Sequence, residues 1–319
     1  MMERLRSIAE FRASGGGTVA SIGNFDGVHV AHQHVLRNVV SRAKEMGGRS
    51  LVITFDPHPS RVLRPESAPK LILATQDKLR FIEEMGIDAA IVIPFDRAFS
   101  ETAGEEFCRA LVFQALVREV HEGANFRFGR GAATDVLCMQ EIGSRLGFNV
   151  VVYPEERVRG EVVSSSRIRQ LIAAGRMNVA RHLLGRAFFV RSTPAHGRGI
   201  GSRLTVPTIN LAKYDELLPA NGVYVTALQL DGRKWKSVTN VGMRPTFGAE
   251  SFAVESHILD FEPVELQETT PLKLTFLHRL REERRFADAA ELKRQILHDV
   301  KRAERWFESA QCADVDVRC

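Results

Sequence analysis

The reading of the first half of the chain turns on Ala20-Ser21-Ile22-Gly23-Asn24-Phe25-Asp26-Gly27-Val28-His29-Val30-Ala31-His32. An apolar run ends in two glycines that bracket an Asp. Two histidines three apart follow, and a helix-like segment runs from His32 to about Lys44. Histidines at that spacing share the first turn of a helix, beside its unpaired backbone N–H groups. A helix N-terminus, a tight glycine turn and imidazole donors together suit a phosphate. A strand–helix corner with incidental histidines has the same pattern, and the pair alone does not separate the two readings.

At 319 residues the chain is long enough for two domains. Its 44% hydrophobic and 26% charged residues are ordinary for a globular protein. The net charge of +5 is diffuse, without a Lys/Arg tract, so no nucleic-acid partner is expected. Cys108, Cys138, Cys312 and Cys319 form no CxxC or Cys/His cluster, so a reduced cytoplasmic protein without structural zinc is expected. Met1–Ala13 lacks the apolar core of a secretory signal, and no run reaches 18 apolar residues, so no membrane association is expected.

Strand-like runs at Gly17–Ile22, Ser50–Phe55 and Ala89–Ile93 alternate with helix-like segments at His32–Lys44 and Thr75–Met85. Ala103–Phe113 and Asp135–Leu146 read as further helices and Asn149–Tyr153 as a strand, while strand and helix readings compete at Ala115–Val120. Continuous apolar strands between helices predict βαβ units around a parallel sheet, with ligands gathered beyond the carboxyl ends of the strands. From Leu183 the texture changes. Runs at Val223–Leu230, Lys234–Asn240, Ala253–Leu259 and Leu272–Leu280 predict an antiparallel β domain, with a hairpin at Asp231-Gly232. Ala289–Phe307 is an amphipathic helix expected to cover it, and the tail after Ala310 is expected to be loose. The boundary is expected near Arg181–Ala187, giving domains 1–184 and 185–319.

Two further stretches carry candidate chemistry. Phe55-Asp56-Pro57-His58-Pro59 follows a strand and sets Asp56 and His58 in a proline-fixed loop. Ser164-Ser165-Ser166-Arg167-Ile168-Arg169 opens a helix; its hydroxyls and guanidinium groups suit an anion, while serine is also an ordinary helix cap. The first stretch resembles the signature of the HxGH nucleotidyltransferase superfamily. The whole chain resembles the bacterial bifunctional riboflavin kinase/FAD synthetase family. That family's GxFDGxHxGH stretch is matched by Gly23, Phe25, Asp26, Gly27, His29 and His32, with Ala31 for the glycine between the histidines. Its FDPHP motif is Phe55–Pro59, and its SSTxIR motif is Ser164–Arg169. A GxDFxFG-like loop appears as Gly123–Gly129, with Asn125 in place of Asp beside Phe126 and Phe128.

The resemblance implies a Rossmann-like domain that moves the adenylyl group of ATP to FMN. His29, His32 and Arg169 would act catalytically, and Ser164, Ser165, Ser166 and Arg167 would help hold nucleotide. Beyond it lies an implied six-stranded antiparallel barrel, capped by the C-terminal helix, that phosphorylates riboflavin. There Thr208 and Asn210 of Pro207-Thr208-Ile209-Asn210 inherit a Mg²⁺–ATP role and Glu255 that of base. The segments Gly222–Tyr224 and Thr239–Phe247 match further motifs of that kinase. Read without the resemblance, Thr208 and Asn210 also fit a solvated strand edge, and Glu255 a surface position. Relatives read GRxLGxPTAN where this chain has Ser202, Thr205 and Ile209, and Phe188–Ala195 lacks their glycine-bearing opening strand. An altered phosphate-covering loop is therefore expected, and FAD synthesis with a weakened kinase, or flavin storage, are the alternatives. ATP, Mg²⁺ and flavins are the expected ligands, with a monomer or weak homo-oligomer. A nicotinamide oxidoreductase is disfavoured because Gly23–Gly27 lacks GxGxxG spacing.

Overall fold

In the computed structural model, residues 1–195, 208–212, 214–230, 232–246, 249–259, 267 and 269–309 are described. The chain divides into two compact units, Met1–Ser165 and Ser166–Cys319.

In the first unit the elements run β1 (Glu3–Leu5), β2 (Thr18–Ile22), α1 (Val30–Glu45), β3 (Arg49–Asp56), α2 (Pro59–Leu63), α3 (Thr75–Glu84), β4 (Ala89–Pro94), α4 (Arg97–Ser100), α5 (Gly104–Ala115), β5 (Val117–Gly123), β6 (Arg127–Phe128), β7 (Thr134–Asp135), α6 (Val136–Leu146), β8 (Asn149–Tyr153), β9 (Arg157–Val158) and β10 (Glu161–Val162). The main sheet has the order β1-β4-β3-β2-β5-β8, and every pairing in it is parallel. All of β2 and most of β3 are buried, as strands covered on both faces must be. Leu36, Val39, Val40 and Ala43 of α1 cover one face. Phe107 and Leu111 of α5, with Met139 and Ile142 of α6, join the core on the other. The order reverses between β2 and β5, so the crevice of an open α/β sheet lies where those two strands end, at Gly23 and Gly123.

Three local readings change. The helix expected from His32 begins at Val30, because His29 caps it. The ambiguity at Ala115–Val120 is settled by Leu116, whose left-handed conformation (φ 49°) ends α5 and releases the chain into β5. β1, whose three residues include Glu3 and Arg4, carries no apolar run to announce it, and is held by backbone pairing to β4.

The second unit begins with α7 (Ser165–Ala173), which straddles the division, and α8 (Met177–Leu184). It continues with β11 (Phe188–Ser192), β12 (Thr208–Asn210), β13 (Gly222–Leu230), β14 (Arg233–Thr246), β15 (Ala249–Ile258), β16 (Leu272–Arg281) and α9 (Ala289–Glu308). Its antiparallel sheet has the order β11-β16-β13-β14-β15-β12. A bridge between Pro194 and Leu211 joins the two ends of that order, curling the sheet into a barrel. The opening strand forms without its glycine, because Phe188, Phe189 and Val190 supply buried apolar surface instead. Leu230 pairs with Arg233 and Gly232 between them has φ 79°, while Asp231 of the expected hairpin lies outside the described residues. The tail after Ala310 lies outside them as well. Ala303 and Phe307 of α9 pack on Val223, Val225 and Ala227 of β13, as the amphipathic pattern requires.

Candidate active sites

Beyond β2 the backbone turns onto α1 through Phe25 (φ 47°), Gly27 (φ 84°) and Val28 (φ 37°). A β-branched residue at positive φ is strained and persists only where its surroundings over-determine it. The buried Asp26 carboxylate accepts the N–H groups of Ile72 and Leu73 at 3.0 and 3.2 Å. The Asp26 carbonyl accepts from the Ser165 hydroxyl at 2.8 Å, and the Val28 carbonyl from Gln33 Nε2 at 2.9 Å. Four separate contacts thus fix the turn.

His29 takes the N-cap place usually filled by Ser, Asn or Asp, its Nδ1 accepting the His32 N–H at 3.3 Å. That acceptor role leaves the proton of the neutral ring on Nε2. His32 stacks on His29 with ring centroids 3.5 Å apart, and Phe25 meets it edge-on at 5.2 Å. Burial, reinforced by His29 and Lys78 nearby, holds the His32 imidazole well below its ordinary range. Its Nδ1 is buried with no hydrogen-bond partner among the described residues, an orphan of the kind that calls for a ligand or water.

Asp56 is exposed at the end of β3, and half-buried His58 caps α2, its Nδ1 accepting from Ser60 N–H at 3.2 Å. Between this loop and the first lies a small cleft with room for about one water molecule, lined in part by Asn24, Asp26, His58, Thr75 and Lys78. Lys78 is 6% exposed and donates to the Asn24 carbonyl at 3.1 Å and to Thr54 Oγ1 at 2.9 Å. Burial lowers its pKa to about 8, against the pull of Asp26 and Asp56.

At the switch point the β2–β5 ladder stops, and the Ile22 N–H donates to the Glu122 carboxyl at 2.6 Å instead of to a strand carbonyl. Burial pushes Glu122 well above the usual carboxylate range. In the loop that follows, Asn125 is exposed while Phe126 and Phe128 stack with centroids 5.3 Å apart. An aromatic row runs on from Phe128 through Phe107 and Phe99 to Phe55, each step 6.0 Å. On the α1 side of β5, buried Glu119 meets Arg42 at 3.2 Å and His121 at 2.8 Å, and His121 meets the Tyr153 hydroxyl at 2.8 Å. This network lashes the last turn of α1 to β5 and β8.

Of the serine–arginine motif, half-buried Ser164 precedes α7, Ser165 opens it on Asp26, and Ser166 is exposed. Arg167 and Arg169, two apart on α7, face different sides of that helix, and Arg167 reaches Gln170 at 3.4 Å.

In the second unit Asn210 pairs directly with Glu255 and Thr208 with His257. Cross-strand partners share a sheet face with Cβ atoms about 5 Å apart, so the four side chains form one polar patch. Asn240 of β14 pairs with Glu255 from the other side and extends the row. Ile209 pairs with Ser256 on the opposite, buried face, beside the hydroxyl cluster of Thr226, Ser237 and Thr239. The larger Ile209 therefore fills the barrel and leaves the Thr208–Asn210 face clear. Ser202 and Thr205 lie outside the described residues.

A family model described as FAD synthetase matches residues 12–167, and one described as riboflavin kinase matches residues 184–307. A bifunctional riboflavin kinase/FMN adenylyltransferase of Pseudomonas fluorescens is 35% identical over 305 residues, covering 95% of this chain and 97% of that protein. The chain belongs to the bifunctional riboflavin kinase/FMN adenylyltransferase family. Members of that family from Escherichia coli (strain K12) and Bacillus subtilis (strain 168) are each 31% identical, over 91% of this chain and 93% and 92% of their own. A solved structure described as a macrolide-efflux protein from Streptococcus pneumoniae superposes with a TM-score of 0.85 at 24% identity, over 96% of this chain and 99% of that one. At that identity the likeness shows the fold alone. No helix among the described residues is long and apolar enough to cross a membrane.

Sequence reasoning missed Lys78, Glu122 and the Glu119–His121–Tyr153 network, and named Asn240 only within the Thr239–Phe247 motif, without a role. Lys78 had a signal: it stands four residues before Ile82, on the apolar side of α3. Glu122 had a weaker one, two residues after Val120 on the same strand face.

Proposed function

We propose that this protein makes both flavin cofactors. In the second unit riboflavin's terminal hydroxyl attacks the γ-phosphorus of ATP, giving FMN and ADP. In the first, an FMN phosphate oxygen attacks the α-phosphorus of another ATP, giving FAD and pyrophosphate. Residues 1–184 are assigned to adenylyl transfer and 185–319 to the kinase.

The observation that carries the reading is the stacked His29–His32 pair at the start of α1, beside the switch point of the sheet. Adenylyl transfer needs no covalent nucleophile; it needs alignment and donors to the phosphoryl oxygens as charge builds there. The Nε2–H of His29 and the N–H groups of Val30 and Ala31 in the first turn of α1 are such donors. Gly23 and Gly27 shape the turn, Phe25 braces His32, and Asp26 holds the loop. Asp56 and His58 edge the acceptor side, and Asn125, Phe126 and Phe128 line the flavin side. Ser164 and Ser165 supply donors toward the triphosphate, and for Ser166, Arg167 and Arg169 that role is carried by the family resemblance.

In the kinase, the Glu255 carboxylate accepts the proton of the attacking hydroxyl. The oxygens of Thr208 and Asn210, paired with Glu255 and His257, fit the hard-oxygen preference of Mg²⁺. These two residues would hold it together with ATP phosphate oxygens, and when bound it neutralises phosphoryl charge. The free Cys108 and Cys138 suit the reducing cytoplasm, and monomeric or weakly associated protein suffices, since each proposed site lies on this chain. Purified protein incubated with riboflavin, ATP and Mg²⁺ is expected to yield FMN and then FAD on chromatography. Absence of FAD even when FMN is supplied overturns the reading of the first unit.

A further inference from the structure

We propose that the small cleft at Lys78 receives an oxygen of the phosphate group of the flavin acceptor, making Lys78 a substrate-binding residue of adenylyl transfer. The inference rests on the reading above that the first unit transfers an adenylyl group to FMN.

That reaction brings a phosphomonoester dianion to within about 3.5 Å of a phosphorus in a polyanion. The repulsion must be offset, and the buried His32 ring is held neutral, so it donates without bringing formal charge. Lys78 is the only buried lysine or arginine among the described residues. Its two hydrogen bonds go to a carbonyl and a hydroxyl, both neutral, and among the described residues no other acceptor meets it. A buried ammonium with no carboxylate in contact is costly, and an anion's oxygen in the adjoining cleft would offset that cost. The lowered basicity of Lys78 records the same imbalance.

The cleft is placed for this role. It shares Asn24 and Asp26 with the loop that leads into His29. Lys78 is close enough to His32 to depress its basicity. Thr75, at the start of α3, and His58 add donors on the cleft wall, and the N-cap of α3, Ala74, offers no side chain to occupy its first N–H groups. Phe55, also on the wall, ends the aromatic row that begins at Phe126 and Phe128. A flavin along that row would carry its phosphate toward Lys78, leaving the triphosphate of ATP to the histidines.

The test is the pH dependence of the Michaelis constants for FAD formation in the full-length protein. Lys78 loses its charge around pH 8. The titratable groups facing it are Asp26 after β2, Asp56 and His58 after β3, His32 on α1 and Asp77 on its own helix. The second ionisation of a phosphomonoester, near pH 6, is complete by about pH 8. KM for FMN is expected to rise about tenfold per pH unit above pH 8, with KM for ATP flat. Lys78→Met at pH 7.5 is expected to raise KM for FMN by roughly 30-fold or more, the value of a charge-assisted contact, with KM for ATP and riboflavin phosphorylation within about twofold. A rise confined to KM for ATP assigns the cation to the nucleotide and overturns the proposal. A flat KM for FMN from pH 7 to 9.5 in the unmodified protein also overturns it, and needs no variant to fold. Absence of any FAD from supplied FMN defeats instead the reading on which the proposal rests.

Discussion

His32 shows what burial does to a residue chosen to meet anions. Out of water beside His29 and Lys78, its ring stays neutral, so it donates hydrogen bonds without the desolvation cost of a charge. His32→Asn is expected to lower FAD formation by about 10²–10³-fold, the range for losing one transition-state donor, with FMN formation unchanged. The depressed folded value also fixes a stability trend. Below pH 6.5 the unfolded ring takes up a proton that the folded one refuses, so stability falls on acidification and levels off below the folded value. Glu122 has the opposite sign. Its folded value is raised, so stability is greatest below the ordinary value of 4.5 and falls as pH rises, at up to about 1.4 kcal/mol per pH unit, until the folded group ionises. Glu122→Gln, which keeps an acceptor for the Ile22 N–H, is expected to raise the melting temperature at pH 8 and leave it unchanged near pH 4. At this scale the sequence disclosed His29 and His32 through their spacing. It hid Lys78 and Glu122, because a charged residue becomes buried only through the tertiary packing of α3 or β5.

Among the elements, the short strand β12 matters most to the second unit. Its register against β15 sets Asn210 opposite Glu255 and turns Ile209 inward, so residues more than forty positions apart in sequence become neighbours. Glu255→Gln is expected to reduce riboflavin phosphorylation by about 10²–10⁴-fold, the usual value of a general base, with adenylyl transfer to supplied FMN intact. Asn210→Ala is expected to raise the Mg²⁺ concentration needed for half-maximal kinase activity, measured by metal titration at fixed ATP. Ile209→Ala removes buried methyl groups. It is expected to destabilise the barrel by about 2–4 kcal/mol in thermal unfolding while KM for ATP stays constant. Elements with long apolar runs, such as β3 and β8, were legible in sequence. β1 and the ends of α1 and α5 were not, since backbone pairing, a histidine cap and one left-handed leucine decide them.

Across the whole molecule, two unlike units carry two unlike phosphorus chemistries, each with its own core. The change of texture near Leu183, where apolar βαβ periods give way to short alternating strands, announces two unlike modules, while the compact units divide after Ser165. Which residues converge within each unit was not legible in sequence, because convergence at a switch point or across a register pairing is a property of topology. The central claim is that one chain houses two separable steps. Its most direct measurement follows riboflavin, FMN and FAD by chromatography in His32→Asn, in Glu255→Gln and in an equal mixture of the two. The account predicts that His32→Asn stops at FMN, that Glu255→Gln makes FAD only from supplied FMN, and that the mixture carries riboflavin through to FAD. Loss of both steps together in each folded variant, or a mixture that makes no FAD from riboflavin, would contradict it.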